Sequence, residues 1–299
     1  MSILLTGSDG FVGSHVQQVL DCEPLCDEGG IVDLRDYDRI RQTIIKMVPE
    51  SVIHLAAQSY VPESFRNPRS TFDVNFIGTY NLLEALADSG FVGKFLYVSS
   101  SDVYGLVPEN AQPIGELTQL RPRSPYAVSK VAAESLCFQF SQTSSFECII
   151  ARPFNHIGPG QDARFVISDF AKQLIEIKLG KAPAVMHVGD IDVSRDFTDV
   201  RNVVAAYKLL LDLGENSEYY NICSGTGLKV RDLIEMMIAE LGFGVEIELV
   251  QDAQRFRKSE QRSVRGDNSR ISNEIGWQPR ISINQSIRDI LKYWETNSK

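Results

Sequence analysis

The 299-residue sequence has little cysteine and little histidine, with five and four residues of these types. An odd number of cysteines without a Cys-x-x-Cys pair favours reduced thiols in a cytosolic protein over a disulfide framework. The histidines are scattered along the chain, so no metal site is expected. No apolar run approaches the ~18 residues of a membrane-spanning helix, and the N-terminus lacks the basic and apolar regions of a signal peptide.

Positive charge is also scarce. Lys and Arg number 30 against 39 Asp and Glu, which gives a formal net charge of -9 at pH 7. An acidic surface repels phosphodiester backbones and argues against nucleic acid as a partner, although a local basic pocket can still hold one nucleotide. The content of 43% hydrophobic and 23% charged residues is ordinary for a globular protein and excludes disordered classes. The length predicts about two domains.

Strand and helix signals alternate through the first half of the chain. Short apolar segments predict buried parallel strands at residues 3–5, 51–56, 95–99 and 148–151. Helical spacing of apolar residues predicts helices between them, at 11–21, 72–87 and 125–140. This order predicts βαβ units with right-handed crossovers. The expected fold class is α/β, a Rossmann-type doubly wound parallel sheet with a smaller C-terminal α/β substrate-binding domain.

The character of the sequence changes after Arg152. The turn-rich segment 155–160 indicates a domain boundary. Beyond it, helices are predicted at 166–179, 202–213, 230–241 and 287–294, and a strand at 219–223. We expect residues 1–155 to form a dinucleotide-binding domain that residues 197–222 rejoin. Residues 156–196 and 223–299 would form the second domain.

The segment TGSDGFVG (6–13) lies between the first strand and the first helix. In a dinucleotide loop of this spacing, Gly7 allows the tight turn, Gly10 lets the backbone approach a pyrophosphate, and Gly13 lets the helix pack closely on the strand. The helix N-terminus then directs its N–H groups and positive dipole end at the phosphates. The sequence therefore predicts dinucleotide binding.

The choice between NAD and NADP stays open. Asp33 lies about 20 residues beyond the loop, where an acid commonly binds the ribose of NAD, but its context GGIVDLRD resembles a loop that contacts adenine. The second strand is predicted as a stub near 24–26, followed by Asp27. No Lys or Arg precedes Arg35 to bind a 2′-phosphate.

A second motif, YAVSK, places Tyr126 and Lys130 four residues apart, on one face of a predicted helix. Upstream, a serine cluster at 99–101 ends a predicted strand, and the carboxyl ends of parallel strands line the ligand crevice. A Tyr–Lys pair also occurs by chance on helix surfaces. Together with the glycine loop and the serines, it predicts a catalytic site.

These motifs resemble the extended short-chain dehydrogenases/reductases that act on nucleotide sugars. The resemblance covers nearly the whole chain and includes HLAAQS (54–59), SSSDVYG (99–105), RPFNHIGPGQ (152–161) and RDFTDV (195–200). The narrower similarity is to reductases of GDP-4-keto-6-deoxy-D-mannose, which form GDP-D-rhamnose or GDP-6-deoxy-D-talose for deoxysugar and polysaccharide synthesis. It implies NAD(P)H-dependent reduction of the C4 ketone.

The resemblance also implies residue roles. Tyr126 would donate a proton to the C4 oxygen, with its pKa lowered by the Lys130 ammonium and the oxidised nicotinamide. Lys130 would also hydrogen-bond the nicotinamide ribose, and Ser100 would polarise the carbonyl. The implied cofactor contacts are Gly7, Asp9, Gly10, Phe11, Val12, Asp33, Leu34, Leu55, Ala56, Ala57, Asn75, Tyr126, Lys130 and Pro153.

Substrate contacts are implied in the same way, at Ser59, Ser100, Ser101, Asp102, Asn155, Lys172, Arg195, Arg257 and Glu260. A diphosphate needs cationic donors, and Arg195, Arg257 and Arg262 are the candidates. Glu260 would hold the ribose hydroxyls. The segment RKSE (257–260) matches the family pattern Arg-Pro-x-Glu except that Lys258 replaces the proline.

Alternatives remain at this point. Family dehydratases and epimerases recycle NAD with the same apparatus, but dehydratases carry Glu where this chain has Asp102, whose side chain is one methylene shorter. A non-catalytic protein would not need both Tyr126 and Lys130. Family members often dimerise through two helices, here 72–87 and 125–140, so we expect a homodimer with a small-molecule GDP-sugar substrate.

Overall fold

The computed structural model describes residues 2–244, 246–252 and 261–298. The helices are α1 (Phe11–Val19), α2 (Tyr37–Met47), α3 (Val61–Arg66), α4 (Pro68–Phe72), α5 (Gly78–Asp88), α6 (Pro125–Thr143), α7 (Val166–Lys178), α8 (Val200–Leu213), α9 (Val230–Leu241) and α10 (Ile283–Asn297). The strands are β1 (Ile3–Thr6), β2 (Cys22–Pro24), β3 (Cys26–Asp27), β4 (Gly30–Ile31), β5 (Ser51–His54), β6 (Lys94–Val98), β7 (Glu147–Pro153), β8 (Asn155–Ile157), β9 (Val185–Val188), β10 (Ser194–Asp199), β11 (Tyr219–Ile222), β12 (Gly227–Lys229) and β13 (Glu248–Gln251). Among the helices so described, none has the length and apolar character needed to cross a bilayer.

A six-stranded parallel sheet forms the centre of the first domain, in the order β11-β7-β6-β5-β1-β2. Its strands are apolar on both faces because helices cover both faces. Helices α2, α5 and α6 pack on one face and α1 and α8 on the other. The fold prediction, a Rossmann-type doubly wound sheet, is confirmed.

The second core lies around α7, α9 and α10. A three-stranded sheet, β12-β10-β8, and the pair β13-β9 accompany it. The segment predicted as turns at 155–160 begins with strand β8, because β10 pairs with it in parallel register, Phe197 opposite Asn155. Residues Ile271, Ile275 and Trp277 pack on the core of the first domain, although the sequence assigned them to the second.

The helix predicted at 72–87 is interrupted. Helix α4 ends at Phe72, a π-helical turn spans Asp73–Ile77, and α5 follows. The wide turn holds Asn75, which is 1% exposed and uses its side chain to bind other elements. The second strand is a short stub, as predicted, but β2 spans Cys22–Pro24 and not 24–26, because Cys26 and Asp27 belong to the β3-β4 hairpin. All five cysteines are free.

Candidate active site

The glycine loop leaves no room for side chains at two positions. Gly7 has φ 71°, and a Cβ there would lie 2.8 Å from the Ala56 amide nitrogen. A Cβ on Gly13 would lie 2.1 Å from the Gly7 carbonyl oxygen. Helix α1 begins after Gly10 with no side-chain cap and no acid in its first turn, so its N–H groups suit an anion. The loop therefore fits a dinucleotide pyrophosphate.

A cavity of about 70 Å³ adjoins the loop. It is lined by Leu5, Thr6, Gly7, Ser8, Asp9, Leu25, Ile31, Val32, Leu34 and Ala56. Four of the predicted cofactor residues, Gly7, Asp9, Leu34 and Ala56, thus share one cavity. Its apolar side chains and its position beside the loop suit contact with part of the adenosine half of a dinucleotide, which is larger than this cavity.

Two acids near this cavity are paired with arginines. Asp33 accepts the Arg35 Nε–H at 3.0 Å and an Nη2–H at 2.5 Å. Asp27, just after the second strand, accepts two N–H groups of Arg39 at 2.9 and 2.6 Å. These hydrogen bonds hold the pKa of both carboxyl groups below their usual range. Both acids therefore face the solvent side as ion pairs and not as single carboxylates.

Helix α6 positions the predicted catalytic residues. The Ser124 hydroxyl accepts the Ala127 amide hydrogen at 3.0 Å as the N-cap, and Pro125 occupies the first helical position, as predicted. Tyr126 is 7% exposed. Its pKa lies above the usual value because the phenol is buried and Asp102 is near, while a hydrogen bond with Ser100 opposes this.

The sequence analysis expected Lys130 and an oxidised nicotinamide to lower the Tyr126 pKa; in the chain alone, burial and then Asp102 raise it. A phenol with a raised pKa stays protonated at neutral pH, which is the form a proton donor needs.

Lys130 lies beneath the same pocket. It is 4% exposed. Its Nζ donates a hydrogen bond to the Val98 carbonyl at 2.8 Å and lies 5.0 Å from the ring centroid of Tyr97 and 6.0 Å from that of Tyr126. Burial lowers the pKa of Lys130 to about 8. The structure thus brings Ser100, Tyr126 and Lys130 together at the carboxyl end of β6.

Asn75 binds protein groups on two sides. Its amide nitrogen donates to the Gln58 carbonyl at 3.1 Å and to the Ser129 hydroxyl at 3.0 Å, and its oxygen accepts the Gln58 amide hydrogen at 2.7 Å. The sequence predicted a cofactor contact here. In the fold, Asn75 ties the loop after β5, which contains Leu55, Ala56 and Ala57, to the catalytic helix.

A buried histidine was not foreseen as part of the site. The His54 ring lies between the hydroxyls of Thr6 and Thr79, at 2.7 and 2.8 Å. Burial lowers its pKa to about 3, with a contribution from the Lys130 charge. His54 is therefore neutral, and it links the glycine-loop strand to α5. The signal was available in the HLAAQS motif, from which the sequence analysis took Leu55, Ala56, Ala57 and Ser59 but not the histidine.

The predicted substrate residues lie on several elements. Asn155 is exposed at the start of β8, and Arg195 lies on the neighbouring strand β10, with its Nη1 donating to the Ser194 carbonyl at 2.8 Å. Lys172 on α7 lies 3.9 Å from Glu176 and 5.8 Å from the Trp294 ring centroid. Arg262 pairs with the Asp190 carboxylate. Arg257 and Glu260 lie outside the described residues.

The two domains touch beside the pocket. The Tyr60 ring lies 6.3 Å from that of Phe165 and 5.5 Å from the Arg164 guanidinium. On the other side, Phe11 stacks on His156 at 6.1 Å. Ser59, which is exposed, directly precedes Tyr60 in the chain. Pro153 is the last residue of β7 and lies three residues before His156. These ring contacts join residues of the first domain to residues of the second.

Comparisons with known proteins show which family the chain resembles. Residues 30–290 match a family described as GDP-mannose 4,6 dehydratase. The chain is 49% identical to GDP-6-deoxy-D-mannose reductase from Pseudomonas aeruginosa, over 98% of this chain and 97% of that protein. It is 29% identical to a GDP-mannose 4,6-dehydratase from Vibrio cholerae, over 87% and 76%.

Two solved structures are also similar. The structure of RMD from Pseudomonas aeruginosa complexed with NADPH has a TM-score of 0.93 at 48% identity and covers 99% of both chains. The UDP-glucose 4-epimerase of Thermotoga maritima with UDP-glucose has a TM-score of 0.88 at 25% identity and covers 100% of both chains.

Proposed function

The chain belongs to the GDP-mannose 4,6-dehydratase family within the extended short-chain dehydrogenases/reductases, and we propose that it reduces GDP-4-keto-6-deoxy-D-mannose at C4 with NAD(P)H. The product is GDP-6-deoxy-D-mannose, that is, GDP-D-rhamnose, or its C4 epimer GDP-6-deoxy-D-talose. The observation that carries the proposal is the 49% identity, over 98% of the chain, to a protein with that reductase name. A Ser–Tyr–Lys group beside a dinucleotide loop suits a ketone reduction.

The dehydratase function is less well supported. The dehydratase from Vibrio cholerae is 29% identical, against 49% for the reductase from Pseudomonas aeruginosa. The residue at the position of the family's Glu is Asp102, in a short helical turn at Ser101–Tyr104. Its carboxylate reaches one methylene less far from the backbone. Both observations favour reduction without elimination of water.

NADPH is the cofactor we favour. The neighbour with a TM-score of 0.93 is described as complexed with NADPH. In this chain the acid after the second strand, Asp27, is held by two hydrogen bonds from Arg39. An acid occupied in this way is a poor partner for the 2′-hydroxyl of NAD, and a nearby guanidinium tolerates a 2′-phosphate.

The residues of the pocket divide the work of the reaction. NADPH, when bound, supplies the hydrogen and the two electrons that reduce C4. The Ser100 hydroxyl polarises the ketone, and the protonated Tyr126 phenol gives its proton to the C4 oxygen. The resulting phenolate is stabilised by the Lys130 ammonium, which the Val98 carbonyl holds in place, and it regains a proton from solvent.

The substrate nucleotide would lie where the two domains meet, near the contacts of Tyr60 with Phe165 and of Phe11 with His156. Arg195 and Asn155 on adjacent strands, together with Lys172, Arg257 and Glu260, are the proposed contacts for the sugar nucleotide, and Ser59, Ser101 and Asp102 those for the sugar. The register that places Phe197 opposite Asn155 supports this for the first two, because it makes their strands, β10 and β8, direct neighbours.

A homodimer through α5 and α6 is also proposed. Apolar side chains on these helices and on the π-helical turn before α5 remain exposed: Ile77 43%, Tyr80 37%, Val128 40% and Phe138 48%. Such a group suits burial against a second copy.

The free cysteines, including exposed Cys26, suit a reducing compartment such as the cytoplasm.

The function is tested with purified protein, NADPH and GDP-4-keto-6-deoxy-D-mannose. We expect one NADPH to be oxidised per ketosugar, and NMR of the product to identify the configuration at C4. Tyr126→Phe should lower kcat about 10²-fold or more, because general acid catalysis contributes about that much. Tyr293→Phe on α10, a helix that carries none of the proposed site residues, is the matched control. Absence of NADPH consumption, or formation of ketosugar from GDP-mannose, would overturn the proposal.

A further inference from the structure

Glu134 and Arg152 form a buried ion pair next to the catalytic residues on α6 and at the end of β6. Glu134 comes one helical turn after Lys130 on α6, and its two oxygens accept Nε–H and Nη2–H of Arg152 at 3.0 and 2.7 Å. Glu134 is 2% exposed and Arg152 3%. The Ser99 hydroxyl donates to the same carboxylate at 2.5 Å. The carboxylate therefore joins the catalytic helix to the strand end that carries Ser100.

Arg152, the other member of the ion pair, binds the C-terminal part of the segment 99–105 that contains Ser100. Arg152 Nη1 donates to the Tyr104 hydroxyl at 3.0 Å, and that hydroxyl donates to Asn221 Oδ1 at 2.7 Å. The guanidinium also lies 4.3 Å from the Tyr219 ring centroid. Ser99 and Tyr104 thus anchor the segment on both sides of Ser100.

Glu134 also acts on the charge of Lys130, which lies one helical turn before it on α6. The other titratable groups around that ammonium are His54 on β5, Tyr97 on β6, and Tyr126 and Cys137 on α6. Burial keeps His54 neutral and raises the pKa values of Tyr97, Tyr126 and Cys137, so these groups carry no charge at pH 7. Cys137 and Glu134 are the groups that raise the pKa of Lys130 against the effect of burial, and of these two Glu134 carries a charge, in its ion pair with Arg152.

We propose that Glu134 is a positioning residue with two effects: it fixes Ser100 relative to Tyr126 through Ser99, and its charge keeps Lys130 an ammonium ion. The inference rests on the proposed reductase function for its first effect. A purely structural explanation is weak, because apolar residues can replace a buried ion pair without loss of stability. A functional role for the ion pair is that the negative charge of Glu134 stabilises the ammonium of Lys130, one helical turn away.

The positioning effect is tested with Ser99→Ala, which leaves the ion pair intact. We expect kcat for the ketosugar to fall about tenfold, with KM for both substrates within about twofold of wild type. Ser141→Ala is the matched control. Ser141 is a buried serine on α6, and the substitution likewise removes a hydrogen bond between side chains, the 2.6 Å bond between Ser141 and Ser217. Its kcat should not change. A Ser99→Ala enzyme with wild-type kcat would overturn this effect.

The charge effect is tested without substrate, by nitrogen NMR of lysine side chains in the free protein, with Lys130→Met to assign the signal. The double variant E134M/R152M removes the ion pair as a neutral unit. We expect the titration midpoint of Lys130 to fall by about one pH unit, from Coulomb interaction at an effective protein dielectric. An unchanged midpoint would overturn this effect.

Glu134→Asp keeps the charge and withdraws it by one methylene. The titration midpoint of Lys130 should stay within about half a pH unit of wild type, while kcat falls. If the double variant does not fold, this variant tests the charge effect in its place. A midpoint that falls as far as expected for the double variant would contradict the charge effect. If the wild-type protein does not turn over the ketosugar, the proposed function fails, whereas the NMR titration still tests the charge effect.

Discussion

At the scale of single residues, Lys130 shows the conflict between stability and catalysis. The ammonium must lie in a pocket that excludes water, and burial lowers its pKa from 10.5 to about 8. This difference corresponds to about 3 kcal/mol against the charged form in the folded state. The hydrogen bond to the Val98 carbonyl and the nearby Glu134 limit the cost but do not remove it.

We therefore predict that Lys130→Met abolishes turnover and stabilises the fold. At pH 7 the variant should gain up to about 3 kcal/mol in the free energy of unfolding. The folded pKa lies below the unfolded pKa, so the penalty is fully present below pH 8 and disappears as pH rises toward 10.5. Urea unfolding at pH 7 and pH 10 measures the difference. A variant that is less stable than wild type at pH 7 would contradict the prediction.

The same substitution, glycine to alanine, can be compared at Gly13 in the glycine loop and at Gly115, which has open space around it. Gly13→Ala puts a Cβ 2.1 Å from the Gly7 carbonyl oxygen, so the loop must shift. We expect NADPH affinity, measured by fluorescence titration, to fall at least about tenfold because the helix N-terminus moves away from the pyrophosphate. Gly115→Ala has no atom within 4 Å and should leave affinity unchanged. Equal affinities for the two variants would refute the role of Gly13.

The sequence predicted the grouping of Ser100, Tyr126 and Lys130 because four-residue spacing on a helix and a strand's carboxyl end are local features. It failed on the direction of the Tyr126 pKa. That direction depends on how deeply the phenol is buried and on Asp102, and both follow from packing between segments distant in sequence.

At the scale of elements, the start of α6 was predictable and the shape of the preceding helix was not. Ser124 and Pro125 are local signals for a helix start, and the helix begins there. The π-helical turn at Asp73–Ile77 has no comparable signal. Its wide turn is stabilised by hydrogen bonds from Asn75 to Gln58 and Ser129, which come from the loop after β5 and from α6.

The N-cap of α6 supports a prediction with a control in the same chain. Ser124→Ala removes the acceptor for the Ala127 amide and should cost about 1 kcal/mol of stability. It should also lower kcat a few-fold, because Tyr126 lies in the first turn. Ser282→Ala removes the N-cap of α10 and should cost a similar amount with unchanged kcat. Thermal unfolding and steady-state kinetics separate the effects; a normal kcat for Ser124→Ala would contradict the coupling.

At the scale of the whole molecule, the exposed apolar side chains on α5 and α6 determine our expectation of a dimer. Phe138→Asp places a charge on that surface, and sedimentation should show half the wild-type mass, because a buried unpaired charge is unfavourable. Leu213→Asp, at a side chain that is 54% exposed on α8, is the control and should keep the wild-type mass. A monomeric wild type, or a Phe138→Asp dimer, would refute the interface.

The order of the six strands and the closeness of the two domains arise only in the folded chain. Contacts such as Tyr60 with Phe165 and Phe11 with His156 join residues about a hundred or more positions apart, and no local pattern predicts them. The buried network of Glu134, Arg152, Tyr104 and Asn221 has the same origin, since its four members come from different segments.

The sequence by itself determined the α/β class, the glycine loop and the residues that carry the chemistry, because each depends on short-range spacing along one strand, turn or helix. Tertiary structure alone decided the charge state of Tyr126 and His54, the pairing of Asp27 with Arg39, and the link from Glu134 to Ser99. These depend on burial and on partners brought together by the sheet. Dielectric environment and long-range contacts are properties of the packed molecule, and they are absent from any local segment.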